Sequence, residues 1–239
     1  MARRRFFVDE VRRGEAELEG EEAEHLTRVL RVEIGQRFEI SDGQRLYLGE
    51  VIEARKRSVR FRVVESLEVE EPAVRITLLA SLIKFERFEW MIEKATELGV
   101  TTIVPVQAER SESGLEKAAA KRIERWSKIA RAASQQSRRV HLPEIRQPLQ
   151  LREAAQTETA SRFYLEETPG CPMLLTVVPQ PAGETIAVLV GPEGGWTDRE
   201  RGHLVAAGWT AASLGPQILR TETAALVVAA ILRYEREET

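Results

Sequence analysis

The chain has 239 residues, of which 43% are hydrophobic and 31% are charged, and its formal net charge at pH 7 is -3. This composition is typical of a water-soluble globular protein, because no apolar run approaches the roughly 20 residues that a membrane span needs. With 1 cysteine and 3 histidines, the chain has no internal disulfide and no clustered ligands, so we predict no metal site.

Short strand-like runs dominate the first 70 residues. The run on each side of Asp42-Gly43 alternates in polarity, which is a strong hairpin signal. We predict strands at 5–8, 37–41, 46–54 and 58–64, with one helix at 20–32. These elements indicate a small β-barrel domain over residues 1–70, and the polar stretch 68–72, which ends in proline, is typical of a linker.

Clusters of arginine also fall in this first part of the chain, despite the negative net charge. A planar guanidinium suits phosphate and base edges, so the clusters favour a nucleic-acid partner. The alternative is a set of solvated surface charges. The basic start of the chain is followed by charged residues rather than by an apolar signal core, so we expect a cytoplasmic protein.

Strands and helices alternate after Pro72. We predict strands at 74–82, 100–106, 144–145, 163–165, 185–190 and 210–214, and helices at 85–98, 115–136, 149–157 and 222–235. The second of these domains, residues 73–239, therefore has an α/β fold with a mostly parallel sheet. Gly99 follows the first of these helices at the C′ position.

A glycine-rich loop, 191–196, follows the apolar strand 185–190 and is called the glycine loop below. Its glycines can adopt positive φ and let backbone approach a ligand, and Thr197 with Glu200 forms a capping box for the next helix. A second loop, 213–220, runs into the last helix. Ligands of parallel sheets bind at the carboxyl ends of strands, so the two loops predict one pocket for a nucleotide-like ligand. The alternative is a loop that only turns the chain.

The last helix is uncharged from Ala224 to Leu232. A helix that is apolar on every face is buried on every face. We therefore predict a homodimer formed through this C-terminal helix. The alternative is a central helix inside the core of one subunit.

Several segments together resemble the RsmE family of ribosomal RNA methyltransferases, in the SPOUT superfamily. They are residues 4–8, 25–31, 94–100, 136–139, 191–195 and 214–224. One stretch departs from the family pattern Glu-Ala-x-Glu-Gln-Ser-Gly-Arg, since Ala132, Gln135 and Arg138 replace its two acids and its glycine.

The resemblance implies a C-terminal SPOUT-type trefoil-knotted α/β domain and an N-terminal PUA-like β-barrel that binds RNA. It implies methyl transfer from S-adenosylmethionine to N3 of a uridine in the decoding region of 16S ribosomal RNA, either free or in the small ribosomal subunit. It also implies that the cofactor is held by Leu165, Glu166, Gly191, Glu193, Gly194, Gly195, Leu214, Gly215, Ile218, Leu219 and Thr223.

Arg220 and Glu222 are the ionisable residues where the second loop enters the last helix, so we predict that they are catalytic. Arg220 would stabilise charge on the uracil oxygens, and Glu222 would accept the N3 proton. The alternatives are a structural salt bridge for Arg220 and a first-turn carboxylate that stabilises the helix for Glu222. RNA contacts are predicted for Arg5, Arg28, Arg31, Lys84, Arg110 and Arg139.

Two other functions stay open. One is a SPOUT methyltransferase that acts on a ribose 2′-oxygen, although the catalytic Asn-x-x-Arg-type motif of such enzymes is absent from the N-terminal part. The other is a noncatalytic RNA-binding or ribosome assembly factor that retains the ligand fold.

Overall fold

The computed structural model describes residues 5–179 and 185–234. It divides into two units: the first contains the described residues up to 71 together with 134–142, and the second contains the rest. The predicted strand at 5–8 begins within the first unit, whereas Arg4 and the last predicted residue of the final helix, Glu235, lie outside the described residues.

The first unit contains a six-stranded sheet in the order β1-β4-β5-β6-β3-β2. Its elements are β1 (Arg5–Phe7), β2 (Val11–Arg12), β3 (Glu15–Glu19), α1 (Gly20–Arg28), β4 (Arg37–Ser41), β5 (Leu46–Arg55) and β6 (Ser58–Leu67). The β4-β5 hairpin at Asp42-Gly43 is confirmed, and its strands are antiparallel. The pairing runs as an open path from β1 to β2 among the described residues, so closure into a barrel stays a prediction.

The core of this unit lies between the sheet and α1. Ala23 and Leu26 of α1 are fully buried, and they pack with alternate residues of the strands, including Ile40, Val59 and Phe61. Phe6 and Phe61 each meet Phe38 edge to face. Apolar burial of this kind is the main source of stability for so small a unit.

The second unit contains a parallel sheet in the order β10-β8-β7-β12-β11-β13, with β9 paired to β8. Its strands are β7 (Arg75–Ser81), β8 (Thr102–Gln107), β9 (Glu144–Ile145), β10 (Leu149–Gln150), β11 (Ser161–Leu165), β12 (Thr185–Val190) and β13 (Thr210–Ala212). Its helices are α2 (Phe85–Glu97), α3 (Leu115–Ala120), α4 (Ile123–Gln136), α5 (Leu151–Ala154), α6 (Leu174–Val177), α7 (Asp198–Ala206) and α8 (Thr221–Tyr234), although the last three residues of α4 belong to the first unit. All the pairings of this sheet are parallel, as predicted.

The sheet is covered on both faces, because consecutive residues from Ile186 to Val190 of the central strand β12 are apolar and buried. Ile186, Val188 and Val190 of β12 belong to the core shared with α2, α4 and α8. The intervening Ala187 and Leu189 belong to the core on the other face, with α5 and α7. This alternation follows from the two-residue period of a strand, and it gives a three-layer α/β/α arrangement.

Three predicted helices differ from the structure. The helix expected at 20–32 ends at Arg28. The helix expected at 115–136 is divided into α3 and α4 by a turn at Lys121-Arg122. The helix expected at 149–157 begins later, because Leu149 and Gln150 pair with β8 as a short strand. The predicted stop of α2 is confirmed, since Gly99 has φ 85° at the C′ position.

Within the ranges that the structure describes, no helix combines the length and the apolar character needed to cross a bilayer.

Candidate functional site

The glycine loop leaves the carboxyl end of β12, and its glycines lie in different environments. Gly195 alone among them has a left-handed backbone, with φ 66°. Gly191 is crowded instead: a Cβ there would lie 3.2 Å from Cε2 of the Trp196 ring. A Cβ at Gly194 would lie 3.1 Å from Cδ of Arg110. At both positions a side chain would force neighbouring atoms to shift by a few tenths of an ångström, so the constraint comes from crowding rather than from φ.

The loop is fixed at its far end by α7. The hydroxyl of Thr197 accepts a hydrogen bond from the backbone N–H of Glu200 at 3.2 Å. The Glu200 carboxylate accepts from the backbone N–H of Thr197 at 2.8 Å. This is the predicted capping box, and it is confirmed. Trp196 is 1% exposed, and its indole N–H donates to the carbonyl of Leu165 at 2.9 Å, which ties the loop to the end of β11.

The second loop joins the glycine loop through a residue that the sequence analysis missed. The hydroxyl of Thr221, the first residue of α8, donates to the carbonyl of Gly191 at 2.9 Å. Gly215 in the second loop has φ 126°, a conformation that requires glycine. The loops that follow β12 and β13 thus line one depression, and the Thr221–Gly191 hydrogen bond joins them.

This depression is an open cleft with a volume of about 660 Å³, counting the open space at its mouth. It is lined by Leu165, Glu166, Glu167, Val190, Gly191, Pro192, Glu193, Gly195, Trp196, Ser213, Leu214, Gly215, Gln217, Ile218, Leu219, Thr221 and Ala224. Every residue predicted to hold the cofactor is in this set except Gly194 and Thr223. The Gly194 carbonyl accepts from the guanidinium of Arg110 at 2.6 Å, and Thr223 is exposed on α8.

Glu166 lines the cleft, but its carboxylate is committed to its neighbours. It accepts hydrogen bonds from Nε of Arg201 at 2.5 Å and from the Thr168 hydroxyl at 2.8 Å. Burial of Glu166 opposes ionisation, but these hydrogen bonds outweigh it and hold the pKa of Glu166 below the ordinary glutamate value. The side chain therefore shapes the wall of the cleft rather than offering it a free acceptor.

The two predicted catalytic residues lie beside the cleft in different environments. Arg220 is exposed, and its guanidinium forms no ion pair within residues 5–179 and 185–234. The salt-bridge alternative for Arg220 thus has no support among these residues. Glu222 is 6% exposed, and its Oε2 atom has no hydrogen-bond partner among the described residues.

Arg87, on the first turn of α2, was also missed by the sequence analysis. Its Nη1 atom lies 3.2 Å from Oε1 of Glu193, and its Nε atom lies 3.8 Å from Oε1 of Glu222. No local motif marks Arg87, because it lies more than 100 residues before the loops that it contacts. Its only signal in the sequence is its position just after the carboxyl end of β7.

The residues predicted to bind RNA are mostly exposed. Arg31 and Lys84 are exposed, and Arg28 is exposed although its guanidinium lies 2.7 Å from Oε1 of Glu24. Arg139 is half-buried. Arg5 differs, since its side chain is 9% exposed and pairs with Glu39 at 2.9 Å. Its guanidinium also donates to the backbone carbonyl of Arg138.

Two of the three positions that depart from the family pattern, Gln135 and Arg138, make local contacts in the structure, and nothing in the structure explains Ala132. Gln135 donates its amide to Oε2 of Glu22 at 2.9 Å, where a second carboxylate would repel that acid. Arg138 has φ 59°, although the family pattern has glycine there. Its guanidinium pairs with Oε1 of Glu39 at 3.1 Å.

The matches to known proteins cover almost the whole chain. The RNA methyltransferase domain family matches residues 69–233, and the RNA methyltransferase PUA domain family matches residues 18–64. Ribosomal RNA small subunit methyltransferase E of Aquifex aeolicus is 34% identical over 232 residues, which cover 95% of this chain and 97% of that protein. The protein of the same name from Bacillus subtilis is 33% identical, with coverage of 91% and 89%.

Solved structures agree. The fold is similar to a ribosomal RNA small subunit methyltransferase E from Neisseria gonorrhoeae bound to S-adenosyl methionine, with a TM-score of 0.87, 30% identity and 98% coverage of both chains. A putative methyltransferase from Legionella pneumophila, in complex with the same cofactor, has a TM-score of 0.88 at 29% identity and 98% coverage of both chains. The chain therefore belongs to the ribosomal RNA small subunit methyltransferase E family.

Proposed function

We propose that this chain transfers a methyl group from S-adenosylmethionine to N3 of a uridine in the decoding region of 16S ribosomal RNA. The observation that carries the proposal is the cleft between the glycine loop and the second loop. It unites nearly all the residues predicted to hold the cofactor, in a chain whose relative of similar fold is bound to S-adenosyl methionine.

The residues of the cleft suit this cofactor. Leu165, Leu214 and Ile218 give it an apolar wall for adenine, and the backbone of both loops supplies uncharged donors and acceptors. The cofactor carries positive charge on its sulfonium and ammonium groups. Glu167 at the cleft supplies negative charge that attracts them, whereas the charge of Glu193 is shared with Arg87. Among the described residues, no group of three His, Cys, Asp or Glu side chains has the arrangement of a metal site.

When bound, S-adenosylmethionine supplies an electrophilic methyl group on sulfur, so the methyl–sulfur bond breaks as the methyl–N3 bond forms. The protein's residues must align N3 with this methyl and remove the N3 proton. Glu222 accepts that proton, directly or through a water molecule, and its buried Oε2 lacks a hydrogen-bond partner among the described residues. Arg220, exposed at the end of the second loop, neutralises the negative charge that develops on the uracil O2 or O4.

Arg28, Arg31, Lys84, Arg110 and Arg139 are proposed to contact the RNA. Arg5 acts indirectly in this proposal, because its guanidinium is already paired with Glu39. The match of residues 18–64 to the RNA methyltransferase PUA domain supports an RNA-binding role for the first unit. Each direct phosphate contact strengthens binding at low salt, and removing one flattens the salt dependence.

The remaining expectations are part of the same proposal. We propose domains at residues 1–70 and 73–239, a trefoil knot in the second, a homodimer formed through α8, and action in the cytoplasm on free 16S ribosomal RNA or the small subunit. The position of β12 between β7 and β11 is compatible with a threaded chain. A crystallographic chain trace through residues 185–234 tests the knot.

The test of the activity is a methylation assay with small ribosomal subunits that lack the modification and with free 16S ribosomal RNA. Nucleosides released from the RNA are identified by mass spectrometry. We expect 3-methyluridine at one position with the wild-type protein and a strongly reduced single-turnover rate with Glu222→Gln. A ribose 2′-O-methyl product would favour the alternative methyltransferase. Failure to bind S-adenosylmethionine in calorimetry would favour the noncatalytic factor.

An unchanged single-turnover rate for Glu222→Gln, with the 3-methyluridine product retained, would remove Glu222 as the base and leave it as a first-turn carboxylate of α8.

A further inference from the structure

Arg87 contacts two segments that the proposed reaction uses in different ways. Glu193, 3.2 Å away, belongs to the glycine loop. Glu222, with Oε1 3.8 Å from Nε of Arg87, belongs to the first turn of α8. One guanidinium thus spans the loop that holds the cofactor and the carboxylate that takes the proton. A planar guanidinium with several donors can make two such contacts at once.

Arg87 approaches only one of the two carboxylate oxygens of Glu222. Arg87 lies beside Oε1, whereas Oε2 is buried and without a hydrogen-bond partner among the described residues. An ion pair at one oxygen favours carboxylate orientations that leave the other oxygen available, as a general base requires. The helices that carry the pair are themselves fixed, because Phe88 and Met91 of α2 share a core with Ala225 and Val228 of α8.

Stability alone does not explain this arrangement. The Arg87 side chain is 38% exposed and that of Glu193 is 50% exposed, and ion pairs with such exposure contribute little to folding. In contrast, a displacement of about 1 Å in a catalytic group can lower a rate by roughly a hundredfold. The Arg87–Glu193 pair therefore contributes little to the fold, whereas the carboxylate that Arg87 approaches at Glu222 is buried, with 8% of its side chain exposed.

We infer that Arg87 is a positioning residue that couples the glycine loop to Glu222, so that the ordering of the loop around the cofactor sets the orientation of the base. This inference rests on the proposed function. It assigns Arg87 no contact with the cofactor or the RNA. Its distinctive consequence is that Glu193, which lies on the cofactor side, influences proton removal through Arg87.

The experiment is a double-mutant cycle in single-turnover methylation, with cofactor and RNA both saturating. Arg87→Gln is expected to lower the rate about tenfold or more, because Glu222 loses its orientation. Glu193→Gln is expected to lower the rate at saturating cofactor as well. The double variant should be little slower than Arg87→Gln alone, since both changes break the same connection.

Arg87→Lys separates charge from geometry. An ammonium keeps the positive charge but does not reproduce the guanidinium fork, so we expect a rate between those of the wild type and Arg87→Gln. The KM for RNA should stay within about twofold of wild type in all these variants, because a positioning residue acts on the chemical step. The matched control is Arg125→Gln. Arg125 lies on α4 and forms an ion pair of 2.8 Å with Glu89, which is on α2 like Arg87. This variant should leave the methylation rate unchanged.

The inference is overturned if Arg87→Gln methylates within twofold of wild type, or if the effects of Arg87→Gln and Glu193→Gln simply multiply. It is also overturned if Arg125→Gln slows the reaction as much as Arg87→Gln, which would mark a general effect on α2. These outcomes leave the proposed function standing. Absence of 3-methyluridine with the wild-type protein would overturn the proposed function and the inference together.

Discussion

Arg138 adopts a backbone conformation that side chains disfavour. Its φ of 59° lies in the left-handed region, at a position where the family pattern has glycine. The conformation costs an L-residue roughly 1–2 kcal/mol. This chain offsets part of that cost with the ion pair to Glu39 and with a backbone carbonyl that accepts from Arg5.

We predict that Arg138→Gly is more stable than Arg138→Ala by about 0.5 to 1 kcal/mol. Both variants lose the ion pair, and the relief of the left-handed strain in glycine exceeds its entropic disadvantage of roughly 0.4–1 kcal/mol. Unfolding in urea measures the difference. At Arg125, inside α4, the same two substitutions should rank in the reverse order, because glycine is the poorer helix former. Equal stability of the two Arg138 variants would show that the backbone at residue 138 is not strained.

Glu166 stabilises the folded protein at neutral pH, and this contribution is lost in acid. Its pKa is lowered in the folded protein, since the bonds from Arg201 and Thr168 outweigh the effect of burial. The unfolded chain therefore binds this proton at higher pH than the folded chain does. The stabilisation is complete above the ordinary glutamate value of about 4.3, and it is lost as the pH falls through the lower folded value.

We therefore predict that wild type and Glu166→Gln differ most in unfolding free energy near neutral pH, and that the difference narrows below about pH 4. Urea unfolding across this range measures it, and taking the difference between the two proteins cancels the titration of other acids. A constant difference from neutral to acid pH would show that the Glu166 charge is not what stabilises the wall of the cleft.

The start of α7 is a second local source of stability. Thr197→Ala removes the hydroxyl that caps Glu200, and we expect a loss of about 1 kcal/mol in unfolding free energy. Thr197→Ser keeps a hydroxyl and is the matched control, with a loss well below that of alanine. The measurement is again urea unfolding. Identical midpoints for the two variants would mean that the cap does not hold the helix.

Much of the α/β unit was predictable, because its strands are apolar and its helices end at recognisable signals. Strand β3 was missed, since three of its five residues are glutamates. Ala16 and Leu18 are its buried positions, and they pair opposite β6. The turn between α3 and α4 was missed as well, because Lys121 and Arg122 carry no breaking signal. Tertiary packing decides both cases. In α4, for example, the buried Trp126 packs against Phe88.

The two loops of the cleft were predictable from their glycines and from the strand ends that precede them. Thr221 and Arg87 were not, because each acts through a contact with a residue distant in sequence. Thr221 bonds to Gly191, 30 residues away, and Arg87 contacts Glu193, 106 residues away. Local sequence patterns indicate helix caps and positions that need positive φ. They do not indicate which distant side chain contacts a loop.

Helix α8 determines how the whole molecule associates in our proposal. One of its faces is buried within the chain, at Ala225, Val228, Ala229 and Leu232. The uncharged residues between them, such as Val227 and Ala230, remain partly exposed. An apolar face of this kind on a helix is suited to a subunit interface.

We predict that the wild-type protein sediments as a dimer and that Ala230→Glu sediments as a monomer at micromolar concentration, because the interface would bury an unpaired charge. Analytical ultracentrifugation measures both masses. Gln156→Glu adds the same charge at an exposed position outside α8 and should remain dimeric. A monomeric wild type, or a variant that stays dimeric, would exclude α8 as the interface.

The pairing of β7 with β12 also has a consequence for synthesis of the chain. Arg75 is the register partner of Thr185, so the middle of the sheet joins segments made far apart in time. Contacts of such long sequence separation form slowly. The cleft further needs Thr221 in contact with Gly191. A nascent chain therefore completes its cofactor site only after residue 221 has left the ribosomal tunnel, so the protein should gain methyl-donor affinity late, after most of its translation is finished.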